Sequence, residues 1–66
     1  MSMRKLLHQY NGKDRFARVY YNTEQGYEVD LSDSVKGFLE TRKLYGHSES
    51  YAEDCAENFV LGVFDV

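Results

Sequence analysis

Turn-forming residues stand at Asn11-Gly12-Lys13-Asp14 and again at Thr23-Glu24-Gln25-Gly26, and they confine the chain between them to the short run RFARVYYN. Asn and Gly tolerate positive φ, and the run itself is rich in aromatic and β-branched side chains, which reads as one strand of a hairpin. Residues 5–10 are extended in character and supply its partner. Beyond the second turn, Tyr27-Glu28-Val29-Asp30-Leu31 alternates apolar and acidic residues, the period of a half-buried strand, so a second hairpin follows.

Ser32-Asp33-Ser34 breaks that alternation. Residues 35–45 admit two readings, because Val35, Phe38, Leu39 and Arg42 also fit a helical stripe. Gly37 weakens a helix, and a fourth extended segment completes a meander, so strand is preferred. The helix signal is strongest at the C-terminal end, where Tyr51, Ala52, Cys55, Ala56, Phe59, Val60 and Val63 recur every three or four residues. Ser50-Tyr51-Ala52-Glu53 matches a capping box, Ser48 is a rival cap, Gly62 is placed to end the helix, and residues 63–66 are expected to fold back onto the sheet.

The expected fold is therefore α+β, a three- to four-stranded antiparallel β-meander with one C-terminal α-helix packed on one face, in a single domain over residues 1–66. A chain of 66 residues hides only about 60% of the surface its unfolded form exposes, which leaves no room for a second domain or a nucleotide-binding α/β unit. The single Cys55 closes no intrachain disulfide and offers no thiolate cage. Neither a membrane-spanning stretch nor a secretory leader is visible, so a cytoplasmic setting is expected.

The charge is uneven. Residues 1–22 carry Arg4, Lys5, Lys13, Arg15 and Arg18 against Asp14 alone, whereas the remainder is strongly acidic and brings the net charge to −3. The split is either a binding asymmetry or one end of the fold attracting the other.

Alternation along the second strand sends Ala17, Val19 and Tyr21 one way and Phe16, Arg18 and Tyr20 the other. Ala17 and Val19 are small enough to lie under a helix bearing Phe59 and Tyr51, which leaves Phe16, Arg18 and Tyr20 on the uncovered face. His8 and Tyr10 of the first strand are expected to join them, with Arg4, Lys5 and Arg15 at the rim. The candidate binding residues are thus Tyr10, Arg15, Phe16, Arg18 and Tyr20.

No catalytic residue, cofactor or metal site is expected. His8 and His47 share no ligand spacing with a carboxylate, Cys55 lies on the apolar stripe as an inert thiol, and Glu53, Asp54 and Glu57 read as a solvated helix face. Together with Glu49, Glu28 and Asp30 those acids offer a modest imitation of a run of phosphates.

The VYYN strand, the YEVDL strand and the helix entry HSESYAEDCAENFVLGVF resemble small uncharacterised proteins of tailed bacteriophages, those of cyanobacterial phages in particular. The resemblance implies a short cytoplasmic protein of an infected cell and carries over no functional residue. The expected function is a non-enzymatic small binding module whose exposed sheet face engages a host protein or a second copy of itself, as a homodimer, with no membrane partner. The alternative is a nucleic-acid-binding module in which Lys5, Lys13, Arg15 and Arg18 meet phosphates while Tyr10, Phe16 and Tyr20 stack on bases.

Overall fold

The computed structural model describes residues 3–64. Four strands follow one another in sequence and in space, β1 (Arg4–Asn11), β2 (Arg15–Asn22), β3 (Gly26–Asp33) and β4 (Gly37–Leu44), and helix α1 (Glu49–Val60) closes the chain. All neighbouring strands are antiparallel, giving the expected α+β meander in its four-stranded form. Among the described residues no helix is long and apolar enough to cross a membrane.

Residues 35–45 form a turn and a strand. Asp33 begins that turn with a carboxylate oxygen that accepts from the backbone N–H groups of Val35 and Lys36, at 2.7 and 3.0 Å. The break in pattern therefore starts at Asp33, while Ser32 stays inside β3 and is nearly buried. Asn22 does the same for the β2–β3 turn, accepting from Glu24 and Gln25. Both are side-chain substitutes for a backbone turn bond.

The core lies between the sheet and α1. Ala17, Val19, Val29 and Leu31 from the central strands meet Ala52, Ala56 and Phe59, all fully buried. The small residues of β2 let the helix approach, and Phe59 fills the space they leave. Truncating a buried phenylalanine costs roughly 3–5 kcal/mol, a large part of what a domain this small possesses.

Three helix details differ from expectation. Ser48, not Ser50, is the N-cap and accepts from the Tyr51 backbone N–H at 3.2 Å. Tyr51 is 49% exposed and stacks on His47 with centroids 4.0 Å apart, so it is no core residue. Val63 likewise stands exposed. At the other end, the Gly62 N–H donates to the Phe59 carbonyl and the Val63 N–H to that of Asn58, with Gly62 at φ +82°, which closes the helix as a Schellman motif. Of residues 63–66, expected to fold back onto the sheet, Phe64 packs against Phe59 of α1 with the Arg42 guanidinium of β4 over its ring, while Val63 is exposed and Asp65 and Val66 lie outside the described residues.

Candidate functional site

The sheet has one covered face and one uncovered face, and strand register decides which side chains each receives. Directly paired residues share a face. Phe16 pairs with Ser32 and Ser32 with Phe38, so these three form a row across β2, β3 and β4 on the side away from α1. The next rows on that side are Arg18, Asp30 and Thr41, then Tyr20, Glu28 and Lys43. Phe16, Arg18 and Tyr20 thus occupy the uncovered face, as alternation predicts.

Tyr10 and His8 do not. Leu6 pairs with Tyr20 but His8 pairs with Val19, so one residue, Leu7, is inserted as a β-bulge. The insertion reverses the phase of the strand and turns His8 and Tyr10 to the helix side. There the Tyr10 hydroxyl donates to Glu53 Oε1 at 3.2 Å, and His8 Nε2 lies 2.9 Å from Glu49 Oε2. Burial, then the hydrogen bond and charge of Glu53, push the Tyr10 phenol up from its ordinary value.

Arg15 also belongs to the helix side. Its Nη1 donates to the carbonyl oxygens of Phe59 and Phe64 at 3.2 and 2.9 Å, neutralising acceptors at the C-terminal end of α1. Two of the five expected binding residues are therefore held in structural contacts with α1 and the chain that follows it.

The uncovered face has two parts. At one end a polar network closes over β3: Arg4 pairs through Nε with Glu28 at 3.0 Å and through Nη2 with Asp30 at 2.8 Å, while its guanidinium lies 3.9 Å from the Tyr20 ring centre. Glu28 also accepts from Asn22 and from the Tyr45 hydroxyl, and Asp30 accepts from Thr41. The hydrogen bond to Glu28 is the chief reason the Tyr45 phenol is raised. Glu28 is only 5% exposed although no element covers it, because these long side chains do.

At the other end Phe16 and Phe38 flank Ser32, and Phe38 is 63% exposed. Arg18 stands beside them, 5.7 Å from the Phe16 ring centre, tethered by a 3.3 Å bond from Nε to Gln9. The sequence reading missed Phe38. A second irregularity, between Leu31 and Ser32 in their pairing with β4, adds a residue there, so simple alternation along 37–44 fails to show which rings share a face.

The acidic residues also divide. Glu49 and Glu53, partly exposed, bond to β1, and Glu28 and Asp30 sit on the opposite side of the sheet, so no continuous acidic run exists among them. Beyond β3, α1 leaves a shallow groove of about 280 Å³ against β4, lined by Arg42, Leu44, Cys55 and Phe64 among others. Arg42 Nε is 3.2 Å from Glu40 Oε2 but off the hydrogen-bonding direction, and the guanidinium lies against the Phe64 ring. Cys55 is half-buried there, and burial pushes its thiol up, away from the reactive thiolate.

No protein-family model, curated protein or solved structure matches the chain, so its chemistry rests on its own residues.

Proposed function

We propose that the protein is a non-enzymatic binding module that engages another protein, a host protein or a second copy of itself, through the sheet face opposite α1. The observation that carries this reading is the Phe16–Ser32–Phe38 row, two phenylalanines flanking a serine on a face against which none of the described elements packs. Arg18, in the next row, borders it, and aromatic residues with arginine concentrate binding energy in desolvated patches. Leu6, 49% exposed, and Tyr20 add a second apolar contact at the other end of the same face.

A nucleic-acid interface on the same hairpin has less to support it. Arg15 is occupied at the end of α1 and Arg4 by two carboxylates, which leaves Lys5, Lys13 and Arg18 for phosphates. Several uncommitted cations are what gives such binding its affinity.

The test compares wild type with the Phe16→Ala/Phe38→Ala double variant by sedimentation and by capture from host lysate, with amide NMR reporting the fold. The expected result is a folded variant that has lost the wild type's self-association or its captured partner. Unchanged association by the folded variant overturns the reading. So do amide shifts across residues 5–21 on adding short oligonucleotides that fade at physiological salt.

A further inference from the structure

We propose that His8, Glu49 and Glu53 form a binding site for a divalent transition-metal ion of the zinc type, where β1 meets the start of α1. Each side chain offers one ligand atom, and the three atoms lie within 4.8 Å of one another. His8 Nε2 is 2.9 Å from Glu49 Oε2 and 3.8 Å from Glu53 Oε1. Ligands around a tetrahedral zinc, each at about 2.0–2.2 Å, stand roughly 3.3–3.5 Å apart. The two separations at His8 bracket that spacing, and both glutamates are exposed enough to adjust their torsions.

The arrangement is built by three separate features. Glu49 and Glu53 are one helical turn apart and so share a face of α1. The bulge at Leu7 delivers His8 to that face, where unbroken alternation would have sent it to the other side of the sheet. Two hydroxyls then hold the carboxylates: Tyr27 donates at 3.5 Å to Glu49 Oε1, the oxygen not facing His8, and Tyr10 donates at 3.2 Å to Glu53 Oε1, the oxygen that faces His8. Outer hydrogen bonds of this kind are what hold metal-binding side chains in position.

The donor set also selects the ion. Two carboxylates one turn apart repel each other, and a dication between them removes that repulsion. An imidazole nitrogen among the ligands favours zinc and its first-row neighbours over magnesium or calcium, which take oxygen ligands. Three protein ligands leave a fourth position for water.

The experiment is a Zn²⁺ titration of the full chain, free of any polyhistidine tag, followed through the imidazole resonances of His8 and His47. The expected result is saturation at one equivalent with shifts at His8 and not at His47, and no shift with Mg²⁺. His8→Gln and Glu53→Gln each weaken affinity by about tenfold or more, while His47→Ala binds as wild type. Amide spectra verify that each variant folds, and if His8→Gln does not, Glu53→Gln carries the same test. Shifts at His47 alone, failure to saturate, or unchanged affinity in both ligand variants overturns the proposal.

Discussion

The Arg15 guanidinium lies 4.8 Å from the centre of the Phe59 ring and donates to the Phe59 carbonyl oxygen, so one side chain of β2 covers the core's largest residue and closes the end of its helix. Arg15→Ala leaves carbonyl acceptors without a charged donor. We expect a loss of about 2 kcal/mol, measured by urea denaturation, with Arg15→Lys restoring only part because an ammonium lacks the planar fork.

Exchanging the two serines at the start of α1 separates the observed cap from its rival. Ser48→Ala removes the acceptor for the Tyr51 N–H and is expected to cost about 1 kcal/mol. Ser50→Ala, an exposed change inside the first turn, is expected to stay within roughly 0.5 kcal/mol of wild type. Thermal or urea denaturation of the two variants side by side checks the assignment.

Gly12 is required for space rather than for torsional freedom. A Cβ at this position would stand 2.5 Å from the Val60 carbonyl oxygen, a backbone atom at the end of α1 that has no rotamer with which to withdraw. Gly12→Ala is expected to destabilise by about 1–3 kcal/mol, with the largest amide shifts at residues 12–15 and 58–62.

Asp33 gives the fold an acid dependence of known sign. The backbone N–H groups of Lys36 and Val35 hold its carboxyl below the ordinary value, so the folded state favours the ionised form. Its contribution is fully present above the unfolded carboxylate value of about 3.9 and disappears as pH falls through the lower folded value. Asp33→Asn is expected to flatten the stability profile below about pH 4, read from urea midpoints at successive pH values; an unchanged slope would place the acid dependence elsewhere.

Local patterns were enough for much of this fold. The hairpin turns follow from their Asn, Gly and Asp residues, and the alternating strand at residues 27–31, the stripe of α1 and the placement of Ala17 and Val19 under Phe59 follow from periods of two and 3.6, because those periods are properties of the backbone itself. The uncovered positions of Phe16, Arg18 and Tyr20 follow for the same reason. The choice of Ser48 over Ser50 as cap is set by where the first helical turn begins, and the two serines carry the same acceptor.

What the tertiary structure decided is the content of each face beyond the second strand. One inserted residue at Leu7 moved His8 and Tyr10 across the sheet, and another irregularity between β3 and β4 put Phe38 beside Phe16. A bulge is a matter of how two strands pair, so it leaves no mark on the alternation of either strand read alone. Contacts such as Arg15 with Phe59, or His8 with Glu49, join residues more than forty positions apart, and only the packed helix brings them together. Sequence by itself determined the first three strands, the helix and the small-residue core beneath it; pairing register and helix docking determined which polar and aromatic side chains meet.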